Sequence, residues 1–291
     1  MLPRTCRDPG VDQASVTIER PASYTHRMTS LAAIRPDDLA TDVPLVHAFR
    51  IRAVDYERAT PWVHDTQILD HAFRLLSRRR IGDLLDAGGG TGALSYAIHQ
   101  ELGCASAVVV DASQDMLRQV PAPLQTKHAY LDDFLLGSDT EFDTILLRQV
   151  LHYLDDAPAT VAGLASRLRP GGRLYISQSF VRTPAAAAWL AGILSTLSPA
   201  KRRFFHLAEL RALLPSHDLA LERHALHDFH DSVAALTARA SQAVDPQQTI
   251  QQAFTSLTKP VAETLCTRRS KDDLFYQVGW HHSVWVRRSD R

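Results

Sequence analysis

An apolar run, Leu84-Leu85, leads into Asp86-Ala87-Gly88-Gly89-Gly90-Thr91-Gly92-Ala93-Leu94-Ser95. An acid and then glycines, at the end of a strand and running into a helix, make a cradle for a small molecule. Glycines without a Cβ let the backbone approach a ligand closely, and the unpaired N–H groups that open the helix attract an anionic group. The turn alone leaves the ligand open. Gly88-x-Gly90-x-x-Ala93, with Asp111 about 20 residues further on, also fits the dinucleotide fingerprint, in which an acid binds the ribose.

The residues that follow separate these readings. Val108-Val109-Val110-Asp111-Ala112 is followed by Met116-Leu117, then by Leu131-Asp132-Asp133-Phe134. Next come Phe142 to Arg148-Gln149, Val150-Leu151-His152, and Leu168-Arg169-Pro170-Gly171-Gly172. In order and spacing this set, which covers residues 80 to 180, resembles the class I methyltransferases of the small-molecule type that use S-adenosylmethionine. The resemblance implies a role for each position. Asp86 would orient the methionyl amino group, and Gly88, Gly90 and Gly92 would fold the backbone around the methionine portion. Asp111 would accept both ribose hydroxyls, with Ala112 and Met116 beside it. Asp132 would accept the adenine amino hydrogen and Asp133 or Phe134 would flank the ring, although a one-residue shift exchanges Asp132 and Asp133. Arg148 and Gln149 would line the sulfonium side. The chain departs from the family at Gly89, where many relatives carry Cys or another small residue; small size is expected to be all that the position demands.

Transfer of a methyl group from a sulfonium needs no nucleophile on the protein, only an aligned acceptor and excluded water. A base is needed where the acceptor arrives protonated, and histidine suits that task near neutral pH. His152, just beyond the fourth strand, is the candidate catalytic residue; the alternative is a polar residue packed beside the cofactor. His281 and His282 are adjacent in an alternating segment, so they point to opposite faces. His224, His227 and His230 invite a metal reading. The first is expected in a strand and the last beyond it, without a shared helical face, so they read as surface histidines and no metal is expected. Tyr56, Arg58 and Trp62 resemble the lid that folds over the cofactor in relatives, or else belong to an ordinary amphipathic helix.

The elements that must position these groups alternate in short βα units, which predicts an α/β fold: a Rossmann-like, doubly wound, seven-stranded sheet with six parallel strands and one antiparallel, under a helical cap. Strands are expected at 83–87, 107–111, 127–130, 142–148 and 172–177, with a sixth at 219–226 and an antiparallel last strand at 274–288. Helical periodicity runs through residues 36–77, and helices are expected at 181–199, 207–214 and 231–258. Residues 1–27 lack a period and read as a disordered leader, residues 28–80 as the cap, and residues 81–291 as the methyltransferase domain with lid insertions at 178–206 and 229–272. Trp62, Trp189, Leu190, Ile193, Phe204, Phe205 and Phe254 in these segments suit an enclosed apolar pocket, or helix packing.

The 291 residues carry 32 basic and 32 acidic side chains and 45% apolar residues. That is ample for a core and gives no electrostatic footprint for nucleic acid. Arg78-Arg79-Arg80 reads as a helix C-terminus. Three isolated cysteines favour a reducing, cytoplasmic setting, and no run is long enough to span a membrane. The expectation is an S-adenosylmethionine-dependent methyltransferase acting on O, N or C of a small, cyclic or aromatic metabolite, with no nucleic-acid or membrane partner and with a homodimer allowed. A tRNA or protein methyltransferase, a non-methylating protein that keeps the cofactor as a structural ligand, and a nicotinamide oxidoreductase are the alternatives.

Overall fold

The computed structural model describes residues 44–197, 203–213, 219–238, 244–271 and 273–288. The expected leader and the start of the cap, residues 28–43, lie outside these.

Before the sheet come α1 (Pro44–Arg52), the short α2 (Tyr56–Ala59) and α3 (Thr66–Leu76). Asp65 caps α3 by accepting the N–H groups of Gln67 and Ile68, each at 3.0 Å. The helix buries Ile68, Ala72, Leu75 and Leu76, an i, i+4, i+7, i+8 stripe that lies on one face. The sheet then alternates with helices: β1 (Asp83–Ala87), α4 (Ala93–Leu102), β2 (Ser106–Asp111), α5 (Gln114–Leu117), β3 (Gln125–His128), α6 (Leu131–Gly137), β4 (Phe142–Arg148), α7 (Ala157–Ser166), β5 (Leu168–Val181) and α8 (Pro184–Leu197). Beyond α8 lie β6 (Phe205–His206), α9 (Leu207–Ala212), β7 (Leu219–Ser232), α10 (Val233–Ala238), α11 (Val244–Thr255), α12 (Lys259–Thr264), β8 (Arg268–Arg269) and β9 (Leu274–Arg287).

Among the described residues the sheet has nine strands, not seven. Seven form a continuous path in the order β3-β2-β1-β4-β5-β9-β7, and the two-residue β6 and β8 pair onto β5 and β9. On the path β9 alone runs antiparallel to its neighbours. Local sequence patterns do not reveal two-residue strands, which exist only through their long-range partners.

Three expected boundaries shift for the same reason. β3 begins two residues early, at Gln125, because it pairs with Val108 of β2. β5 runs from Leu168 to Val181, since its upper half pairs with β9 from Ser177↔His282 to Phe180↔Gly279. The stretch 178–181, assigned from the sequence to a lid, is therefore strand. β7 likewise continues to Ser232, because β9 offers partners as far as Phe275; residues 229–232 are strand instead of lid, and His230 lies within the strand.

Alternation along the strands divides the side chains between two faces. One face packs Leu85, Ile145, Leu147, Leu174, Ile176 and Phe180 with Leu164 and Phe205. The other packs Leu84, Leu146, Tyr175 and Val284 against Ala72, Leu75 and Leu76 of α3. Buried Arg173 fastens the exit of α3, donating to the carbonyls of Leu76 at 2.9 Å and Arg80 at 2.8 Å. Arg79, in the basic run that follows the helix, pairs with Glu222 at 2.9 Å. No helix among the described residues is long and apolar enough to cross a membrane.

Candidate active site

The α3 face carries the site at its carboxyl edge. β1 ends in Asp86-Ala87, and the chain turns through Gly88 and Gly90, whose φ values of 66° and 58° disfavour any residue with a side chain. The N–H groups of Gly88 and Gly89 donate to the Val110 carbonyl at 2.8 and 3.2 Å, which ties the turn to β2. At the end of β2, Asp111 receives the N–H of Gly90 on one oxygen and that of Ser113 on the other, both at 2.8 Å. Removal from water lifts its carboxyl to about 6, in spite of these two bonds.

Asp86 is buried and Oδ2 has no hydrogen-bond partner. Burial raises its pKa, opposed by Ser95 and by the charge of Arg148. Gly89 is more constrained than small size alone would require: a Cβ there would lie 2.5 Å from Cγ of Asp86 and 2.8 Å from Val109. In this chain even a methyl group displaces the acid.

A cavity of about 620 Å³ opens above the turn. Of the sequence-predicted binding residues, Asp86, Gly88, Gly90, Asp111, Ala112, Met116, Asp132, Arg148 and Gln149 line it. Three do not. Gly92 caps α4 with φ 72°, facing Val109 and Val120. Asp133 is exposed to solvent, and Phe134 is buried in the core of the opposite sheet face. The reason is helical: Leu131 and Phe134 share the inward stripe of α6, so Asp133 turns outward while Asp132 stays at the rim, accepting from Thr160 at 3.2 Å. Tyr130, not anticipated from the sequence, lines this end, and its buried hydroxyl has no partner.

Past Arg148 the chain makes an abrupt turn. Gln149 has φ 57°, a left-handed conformation that costs a residue with a Cβ about 1–2 kcal/mol. Its N–H bonds to the Ser177 carbonyl at 2.9 Å. The Gln149 side-chain oxygen accepts from Gln178 and Ser179, each at 3.1 Å, and Gln178 also donates to Nδ1 of His152 at 3.1 Å. His152 sits buried on the cavity wall in a 3-10 turn, Leu151–Tyr153, with its ring 4.1 Å from that of Tyr153. Burial lowers the pKa of Arg148, which donates to the Val63 carbonyl at 3.2 Å and lies 5.3 Å over the Trp62 ring.

The roof is aromatic. Phe49, Tyr56 and Trp62 come from the first helices, and Phe204, Phe229, Tyr276 and Trp280 from the chain after β5. Arg58, grouped with Tyr56 and Trp62 in the sequence reading, does not line the cavity; it points outward to Asp55 at 2.7 Å. Among the expected pocket residues, Trp62 and Phe204 line the cavity. Trp189, Leu190, Ile193 and Phe254 pack among the cap helices, with Trp189 edge-on to Phe254 at 4.9 Å, and Phe205 enters the core beneath the sheet. Phe229, Asp231, Tyr276, Val278 and Trp280 were missed. Alternation in the last strand could have grouped Tyr276, Val278 and Trp280 on one face.

His281 and His282 do face opposite ways, and neither lines the cavity. His227 is not a surface histidine: its ring stacks on those of His71 at 4.8 Å and His282 at 5.0 Å, beneath Trp280. His224 lies on the other face, stacked on His281 at 6.4 Å. Among the described residues no cluster of three or more His, Cys, Asp or Glu could hold a metal.

Residues 62–224 match a family described as "Methyltransferase domain". The chain is 32% identical over 160 residues to the biotin biosynthesis bifunctional protein BioCD of Bordetella avium, covering 53% of this chain and 33% of that protein. It is 29% identical over 153 residues to the ubiquinone biosynthesis O-methyltransferase of Xanthomonas euvesicatoria, covering 48% of this chain and 63% of that enzyme. It thus spans less than two thirds of either relative. Among solved structures, the YcgJ protein of Bacillus subtilis superposes with a TM-score of 0.66 at 16% identity, over 76% of this chain and 98% of that one. At that identity the likeness is one of fold.

Proposed function

Because the chain belongs to this methyltransferase-domain family, we propose that it transfers the methyl group of S-adenosylmethionine to an oxygen, nitrogen or carbon of a small, ring-bearing metabolite. The observation that carries this reading is the continuity of one cavity from the glycine turn, with Asp86 and Asp111, to an aromatic roof. A ligand with an amino-acid end, a ribose and a purine fits the groups along the turn. The unpartnered, buried Asp86 Oδ2 suits the methionyl ammonium, Asp111 the ribose hydroxyls, and Asp132 with Tyr130 the base. When bound, S-adenosylmethionine supplies an already activated methyl group.

The chain's own residues then align and enclose. Arg148 and Gln149 define the wall at the end of β4, the edge-on pair Tyr56 and Trp62 excludes water from above, and the aromatic side chains grip a flat acceptor. His152 orients the acceptor: the Gln178 amide nitrogen at Nδ1 favours a proton on Nε2 and so a ring that acts as a hydrogen-bond donor. The balanced charge argues for a small acceptor over tRNA, and the half-buried thiols Cys104 and Cys266 suit a cytoplasmic setting.

Calorimetric titration with S-adenosylmethionine, S-adenosylhomocysteine and NAD tests the cofactor, followed by transfer of labelled methyl to phenols and amines. Binding of the first two is expected. Binding of NAD alone would overturn the reading.

A further inference from the structure

β7 closes one end of the sheet. It is 14 residues long and pairs with β9 from Leu219 to Ser232, and among the described residues no strand lies on its other side. A long edge strand presents a row of unpaired N–H and C=O groups, and proteins ordinarily shorten, bend or cover such an edge. Here the register shifts once, between Leu221 and Arg223, and is continuous from there to Ser232. Alternation turns Arg223, Ala225, His227 and Phe229 toward α3 and leaves His224, Leu226, Asp228 and His230 exposed on the opposite face. Leu221 and Leu226 are 46% and 40% exposed, two of the four large apolar side chains that the described residues leave in solvent.

The sequence of this edge is complementary to itself. Antiparallel pairing of two copies is an isologous contact about a two-fold axis, and because residues directly opposite share a face, the axis passes through a residue. Charge selects which one. With the axis at Leu226, that side chain meets the partner's Leu226, and His224 lies opposite the partner's Asp228 in both directions. An axis at His227 sets His224 against His230 and Leu226 against Asp228. An axis at Ala225 sets His224 against Leu226 and Glu222 against Asp228. At Asp228 or His224 the axis sets acid against acid or imidazole against imidazole. Asp228 is also held by Nη2 of Arg182, at 3.0 and 3.2 Å from its two oxygens, and its side chain stays 40% exposed. An ionised carboxyl offers about four acceptor sites, so an imidazole N–H adds to that bond without replacing it.

We infer that two copies of this chain associate through β7, antiparallel about an axis at Leu226, so that their sheets join into one. His224 and Asp228 pair across the junction, and the two α3 faces, each with its cavity, lie on the same side of the joined sheet. The association does not depend on what the cavity binds.

Sedimentation equilibrium on the full chain tests this, and a dimer is expected. Leu226→Lys sets two ammonium groups face to face at the axis and should weaken the dimer at least about tenfold while the circular dichroism spectrum keeps its shape. Leu226→Cys, oxidised with diamide, should cross-link to its own copy above the wild-type background, since opposite residues bring their Cβ atoms to about 5 Å. His230→Cys, about 27 Å from its counterpart, should not. A monomeric wild-type chain overturns the proposal and leaves the edge to a different partner. A dimer that Leu226→Lys leaves intact overturns it as well, and cross-linking through His230→Cys in place of Leu226→Cys overturns the register.

Discussion

Gln178 donates its side-chain N–H to Nδ1 of His152 at 3.1 Å, and the same nitrogen lies 3.1 Å from Oε1 of Gln149. The Ser179 carbonyl, at 3.4 Å, is a third acceptor for the two amide hydrogens, and an amide nitrogen cannot accept in return. With the amide nitrogen at Nδ1, the arrangement favours the Nε2–H tautomer of the imidazole, a donor. Protonating Nδ1 would set N–H against N–H in a buried site.

His152→Ala is accordingly expected to slow turnover by roughly 10- to 100-fold while changing cofactor affinity little and leaving the shape of the pH–rate profile intact. Gln178→Glu offers His152 an acceptor, moves its proton to Nδ1 and frees Nε2 as a base, so it should add a titration near neutral pH. Loss of a limb of the profile in His152→Ala itself would mean that the wild-type histidine already serves as a base.

Asp111 governs the pH dependence of cofactor binding. Burial holds its carboxyl at about 6, so it is protonated below that pH and cannot accept two ribose hydroxyls. Affinity for S-adenosylhomocysteine should be flat above pH 6 and fall toward tenfold per unit below it. Asp111→Ala should weaken binding by about 1–3 kcal/mol and abolish that slope. A slope that persists in the variant would assign it to another group.

Much of this site was legible because its residues sit at the ends of strands with strong local signatures. The apolar run before Asp86 and the three valines before Asp111 announce β1 and β2, and both acids line the cavity. The binding role was misassigned where helix phase decides: Asp133 and Phe134 follow Asp132 in sequence, but α6 turns one outward and the other into the core. The far wall was not legible, because Asp231 and Tyr276 meet across an antiparallel pairing of segments 45 residues apart, and nothing local to either states the register.

Gly89 offers a sharper test of the cradle than its neighbours with positive φ, since substitution there brings no backbone strain. A Cβ would lie 2.5 Å from Asp86 Cγ. Asp86 must rotate from its buried position to make room, so Gly89→Ala should weaken S-adenosylmethionine binding about tenfold or more and lower the melting temperature. Gly103→Ala, at a glycine with nothing within 4 Å of the added methyl but φ 68°, should cost stability by about 1 kcal/mol through strain alone and leave binding unchanged. Similar cofactor affinity in the two variants would remove the coupling between Gly89 and Asp86.

The stacked histidines beneath the roof make stability sensitive to acid. Burial, reinforced by neighbouring histidines, lowers His227 to about 4 and His282 to about 2, while His71 shifts in the same direction. In the unfolded chain each titrates near 6.5. Between that value and the folded one the unfolded state binds more protons, so unfolding free energy decreases as pH falls through this window, by up to about 1.4 kcal/mol per unit for each group. The half-buried His227 contributes less than that limit, since water screens it. Asp111, with its raised carboxyl, acts in the opposite sense between about 6 and its unfolded value. His282→Phe keeps a ring in the stack next to Trp280 and removes the titration. Denaturant unfolding at pH 6.5, 5.5 and 4.5 should therefore show a shallower loss of stability in His282→Phe than in the wild type, and parallel losses would mean that these rings are not what acid destabilises.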